Sequence, residues 1–76
     1  MALVQGVEMD VFVNGDRRTV AEGATLNTLL TECRVNPQSV VVEHNEIVVP
    51  RDALAQTRLA SGDKVEIVRF VGGGRF

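Results

Sequence analysis

The residues best suited to chemistry stand near the end of the chain, where Phe70-Val71 runs into Gly72-Gly73-Gly74-Arg75-Phe76. Glycine has no Cβ, so three in succession make a thin, extensible segment able to enter a narrow passage. Such a segment buries almost no apolar surface and loses much backbone entropy when ordered, so folding gains little from it. Two readings follow. One is a frayed terminus, as the last residues of many domains are. The other is a flexible arm that carries a backbone carboxylate into the active site of another protein. The remaining candidates are Cys33 and His44, the one cysteine and the one histidine of the chain. Two such ligands cannot complete a tetrahedral zinc site, and no metal site is expected. Cys33 reads as a small core residue, with a persulfide-carrying role as its alternative. His44 reads as a solvated turn residue beside Glu43, with no nucleophile near it in sequence. The glycines do not form a phosphate cradle, because no helical pattern follows them to supply free N–H groups. No catalytic residues stand out.

The chain that would position such an arm is small. The 76 residues suffice for one domain, and a chain of that size buries only about 60% of its unfolded surface. That leaves little room for an internal catalytic cavity. An apolar fraction of 45% argues against disorder of the whole chain. Eight basic and ten acidic residues give a formal charge of −2. They are intermixed, and the aromatics are only Phe12, Phe70 and Phe76, so nucleic acid is not an expected partner. No apolar run reaches membrane-span length, and the first residues lack the pattern of a signal peptide. With no internal disulfide possible, a cytoplasmic location is the expectation.

Along the chain, residues 1–8 read as a flexible leader, 9–71 as the folded domain and 72–76 as the flexible glycine-rich tail. Met9, Val11 and Val13 alternate with Asp10, Phe12 and Asn14, a period of two that predicts a strand. Asn14-Gly15 predicts a tight hairpin turn, with Arg17–Ala21 as the returning strand. Thr25 is a suitable N-cap. Leu26, Leu29, Leu30 and Cys33 then share one helical face, and Asn36-Pro37 is the expected end of that helix. Val40–Glu43 is a β-branched strand placed inside the sheet, and His44–Glu46 a turn. Ile47–Val49 is a short strand stopped by Pro50, and Arg51–Thr57 a single helical turn. Ser61-Gly62-Asp63 turns into the last strand, Lys64–Phe70, with Val65 and Ile67 on one face and Glu66, Val68 and Phe70 on the other. A hairpin, one helix across it and later strands joining the same sheet give an α+β layer pair. We expect a mixed sheet of four to five strands in the ubiquitin-like β-grasp arrangement, with the last strand parallel to the first at the centre.

Val13-Asn14-Gly15, Val48-Val49-Pro50-Arg51, the run from Leu59 through Ser61-Gly62-Asp63 to Val68, and the ending Phe70-Val71-Gly72-Gly73-Gly74 resemble the ThiS family. These are the sulfur carriers of thiamine thiazole biosynthesis, and the resemblance covers roughly Met9 to Gly74. It implies that Gly73 and Gly74 form the terminus that is adenylated and then carries sulfur as a thiocarboxylate, with Gly72 as part of the arm. It implies a ThiF-like adenylyltransferase, which uses ATP, a ThiG-like thiazole synthase, and a cysteine desulfurase as indirect sulfur source. The carrier itself would bind no cofactor and catalyse nothing. Arg75-Phe76 depart from the family's usual ending, which points to a peptidase that removes them first. Arg51 belongs to the resembling segment and is expected to hold the following turn.

Phe12, Val68 and Phe70 fall on the sheet face away from the predicted helix. Were the first and last strands neighbours, these three side chains would form an apolar patch leading to the glycines, suited to a protein partner. The other readings are a molybdopterin-type sulfur carrier, which shares the fold and the Gly-Gly end, a ubiquitin-like protein modifier, and an interaction module whose tail does no chemistry.

Overall fold

The computed structural model describes residues 7–70. Within them five strands form one mixed sheet: β1 (Glu8–Val13), β2 (Asp16–Ala21), β3 (Val40–His44), β4 (Ile47–Val49) and β5 (Lys64–Arg69), in the order β2-β1-β5-β3-β4. β1 and β5 run parallel, and the other neighbours are antiparallel. The helix α1 (Leu26–Glu32) lies over one face. This is the expected β-grasp, with the last strand in the middle of the sheet.

Alternation of apolar and polar residues explains the layers. Val11, Val20, Val40, Val42 and Val65 point from four strands into the interior, where they meet Leu26, Leu29 and Leu30 of α1. Leu54 and Leu59 close the core from the segment before β5. Each fully buried leucine or valine contributes about 1.5–3 kcal/mol over leaving it exposed. A seven-residue helix has almost no stability of its own, so these contacts hold α1 in place.

The hairpin forms as expected, with Asn14 and Gly15 both at positive φ (50° and 89°), the pairing a two-residue turn of this twist requires. β2 begins one residue earlier than expected, because Asp16 pairs with Val13. The sheet also reaches further back, since the Val7 carbonyl accepts from Glu22 N–H at 2.6 Å. Thr25 caps α1 by accepting from Thr28 N–H at 3.1 Å. Leu26 N–H donates to the Thr57 carbonyl and Leu59 N–H to that of Ala24, tying the start of the helix to the approach of β5.

The other end of α1 departs from expectation. The helix stops at Glu32, well before Asn36-Pro37. Cys33 is its C-cap and Arg34 takes the left-handed conformation at φ 60°. Val35 N–H then donates to the Leu30 carbonyl and Arg34 N–H to that of Thr31. These paired bonds satisfy carbonyls the helix end would otherwise orphan, so a reversal ends the helix before proline can. Pro37 instead opens a short 3₁₀ turn, Pro37–Ser39, capped by the Asn36 side chain. A second 3₁₀ segment, Arg51–Gln56, occupies the expected helical turn. Arg51 Nε reaches back to the Pro37 carbonyl at 3.2 Å, so it links two turns across the fold.

Candidate functional site at the root of the terminal arm

β5 is the strand that leads to the glycines, and its surroundings decide how firmly their root is held. On one side β3 pairs with it through to Arg69, opposite Val40. Phe70 has left the strand, yet its N–H still donates to the Ser39 carbonyl at 3.0 Å. On the other side the β1 ladder ends early, at the pair Val13 and Val65. There the Asn14 side chain takes over. Its Oδ1 accepts from Ile67 N–H at 2.8 Å and its Nδ2 donates to the Ile67 carbonyl at 3.2 Å. One carboxamide thus serves both backbone groups of Ile67, as a strand residue would. Asn14 therefore shapes the hairpin and brackets the departing strand, the second role being invisible in an Asn-Gly turn signal. Gly72, Gly73 and Gly74 lie outside the described residues, as do Val71, Arg75 and Phe76.

The predicted partner patch is partly assembled. Val68 and Phe70 are each 52% exposed, large for apolar side chains. Their neighbours come from β3 and β4: Val41 stands opposite Val68, and Val48, opposite Glu43, is a further exposed residue. Phe70 also borders a shallow cavity of about 180 Å³ with Pro37, Val41, Val48 and Arg51. Phe12 is not among them. The parallel register sets it opposite Lys64, four residues before Val68, or about 13 Å along the strand, and Arg17 flanks it from β2. The assumption that neighbouring strands bring these residues together failed on register, which strand order alone does not specify. Val41 of β3 and Val48 of β4 stand beside Val68 and Phe70 instead.

His44 is not a solvated turn residue. It ends β3, its side chain largely buried, and its Nε2 donates to Asp63 Oδ2 at 2.7 Å. Ala60 N–H also donates to Oδ2, at 2.8 Å, and Asn45 Nδ2 to Oδ1 at 3.1 Å. Burial of the Asp63 carboxyl acts to raise its pKa. The hydrogen bonds from His44, Ala60 and Asn45, together with the His44 charge, outweigh that and hold it below its ordinary value. Asn45 Oδ1 further accepts from Lys64 N–H at 2.9 Å. The cluster clamps the β3–β4 turn to the start of β5. Cys33, at the helix end, is half-buried. Among the described residues no group of three or more His, Cys, Asp or Glu could hold a metal, and no helix is long and apolar enough to cross a membrane.

A cavity of about 750 Å³ is an open groove beside Met9, Thr19 and Leu59, at the end of the sheet opposite the exit of β5.

A model of the ThiS family matches residues 11–74. A thiazole synthase of Paramagnetospirillum magneticum is 41% identical over 66 residues, which cover 87% of this chain and 20% of the synthase. The chain thus spans about a fifth of the length of the thiazole synthases it matches. The sulfur carrier protein ThiS of Bacillus subtilis is 32% identical over 63 residues, covering 82% of this chain and 96% of that protein. The crystal structure of the thiamine biosynthesis protein ThiS from Geobacter metallireducens superposes with a TM-score of 0.76 at 39% identity, covering 87% of this chain and all 100% of its own. Matched nearly end to end in sequence and in fold, the chain belongs to the ThiS family.

Proposed function

We propose that this chain is a sulfur carrier whose Gly74 carboxylate, once Arg75-Phe76 are removed, is adenylated and converted to a thiocarboxylate that donates sulfur to the thiazole of thiamine. The observation that supports this best is the placement of β5. It is the middle strand, bonded on both sides as far as Ile67 and on one side to Phe70, and it runs directly towards Gly72-Gly73-Gly74. A rigid root with a narrow arm delivers a carboxylate to a partner at a defined distance, a positioning task.

A carboxylate is a poor electrophile. A ThiF-like adenylyltransferase would join it to AMP at the expense of ATP, releasing pyrophosphate. A sulfur nucleophile, drawn indirectly from a cysteine desulfurase, would then attack the carbonyl carbon, and AMP would leave. A ThiG-like thiazole synthase would take the sulfur, a pairing supported by the relatives named thiazole synthase that contain a matching region. The carrier has no catalytic residue and no cofactor of its own in this scheme, works in the cytoplasm, and depends on a peptidase to expose Gly74.

The test compares the full chain with a form ending at Gly74, each given the adenylyltransferase, ATP and a sulfur source, and read by intact mass. The Gly74-ended form is expected to release pyrophosphate and exchange one oxygen for sulfur, while the full chain does neither. Equal activation of both would remove the maturation step. Inertness of both would remove the carrier reading, and high-mass lysine conjugates would favour the ubiquitin-like modifier.

A further inference from the structure

Because α1 ends at Glu32, it leaves the helix-side face of the sheet uncovered near the hairpin. A cleft of about 370 Å³ opens there. Val13, Ile67, Val35 and Cys33 form the apolar part of its wall, and Arg18 and Arg69 stand among them. The register explains why two cations share this face. Arg18 pairs with fully buried Val11, and Arg69 follows Val65 and Ile67 on alternate residues of β5. Arg69 is exposed and Arg18 half-buried, so the desolvation cost of an unpaired charge falls on Arg18.

Neither is paired among the described residues. The ion pairs there are those of Arg17 with Asp10, His44 with Asp63 and Lys64 with Glu46. Arg18 Nε is withdrawn from solvent with no hydrogen-bond acceptor, the one such buried side-chain atom in the described residues. An unmet buried donor carries a free-energy penalty that the fold must offset elsewhere. Asp16 is the one carboxylate bordering the cleft. A planar guanidinium with fixed donors suits an oxygen pair on a single anion better than a lone charge.

We propose that this cleft is a binding site for a small organic anion, a carboxylate or phosphate monoester attached to an apolar group. The oxyanion engages the outer guanidinium nitrogens of Arg18 and Arg69, while the apolar part rests on Val13, Val35 and Ile67. The site is on the opposite sheet face from Val68 and is independent of the sulfur-carrier reading.

The test is a titration of the 76-residue protein with phenyl phosphate and, separately, benzoate, followed by ¹H–¹⁵N NMR of backbone amides and arginine Nε–H groups. Saturable shifts are expected at Arg18, Cys33, Val35, Ile67 and Arg69, with at least one of the two probes. Arg18→Gln and Arg69→Gln should each weaken binding about tenfold or more, the loss of a charge-assisted hydrogen bond. Bound anion should also slow alkylation of the Cys33 thiol, a readout that does not depend on a variant folding. Shifts that fail to saturate, that spread over Arg51 and Arg58 as well, or that persist unchanged in both folded variants would overturn the proposal. So would an alkylation rate indifferent to both anions.

Discussion

Asp63 shows how one side chain acquires a structural purpose that its neighbours in sequence do not announce. Its carboxylate accepts from His44, Ala60 and Asn45, and those bonds hold its pKa below the ordinary value despite burial. A carboxylate with a depressed folded pKa adds stability above its unfolded pKa of about 3.9, and that stability is lost as pH falls through the folded value. Asp63→Asn should therefore lower stability at pH 7 by about 1.5–3 kcal/mol, since it removes hydrogen bonds to a charged group. The gap between the two proteins should narrow as pH drops below about 4. Urea denaturation over that range checks both, and a gap constant down to pH ~2 would show that the charge is not the source. Arg34 makes a similar point: its left-handed φ is a conformation that costs most L-residues about 1–2 kcal/mol, and the two bonds ending α1 hold it there.

Among the elements, the critical joint is between the hairpin and β5. β1 stops pairing with β5 at Val65, and the Asn14 carboxamide carries the ladder to Ile67. Asn14→Gly keeps a residue at home at positive φ and deletes only the bracket. It should cost about 1–2 kcal/mol, the net value of two hydrogen bonds less what water restores. Hydrogen exchange should rise at the Ile67 amide more than at Val65, whose strand neighbours are unchanged. Exchange that rises uniformly along β5 would mean that the hairpin, and not the bracket, had been weakened. Aspartate here would keep the acceptor for Ile67 N–H and lose the donor, so its effect should lie between the two.

For the whole molecule, exposed apolar side chains are spread unevenly over the sheet. Val41, Val48, Val68 and Phe70 gather around the exit of β5, and Phe12 stands apart beside Lys64 and Arg17. Under the proposed function an adenylating partner docks on the former group. Val68→Glu and Phe70→Glu should each weaken that complex by about tenfold or more, the scale of a well-buried interface anchor. Phe12→Glu should leave it within about twofold, since rim positions contribute little. Calorimetry of the complex reads the affinity, and thermal melting of each variant separates docking from folding. A loss of affinity in Phe12→Glu equal to that of Phe70→Glu would return Phe12 to the docking surface.

Local pattern was enough for most of the architecture. The two-residue period of β1 and β5, the Asn14-Gly15 turn, the Thr25 cap and the leucine stripe are each governed by neighbours within a few residues, so they can be read in order along the chain. Their sum leaves one economical arrangement, a helix over a hairpin with the last strand at the centre. What remained hidden depends on contacts between distant residues. The register of β5 against β1 set Phe12 apart from Val68. The reversal at Arg34 ended α1 before Pro37 could, and so uncovered the cleft at Arg18 and Arg69. His44 lies 19 residues from Asp63, and Asn14 lies 53 from Ile67. A periodic pattern states which face a residue occupies, but not which residue of another strand stands opposite. Only the packed sheet, where every backbone group must find a partner, decides that.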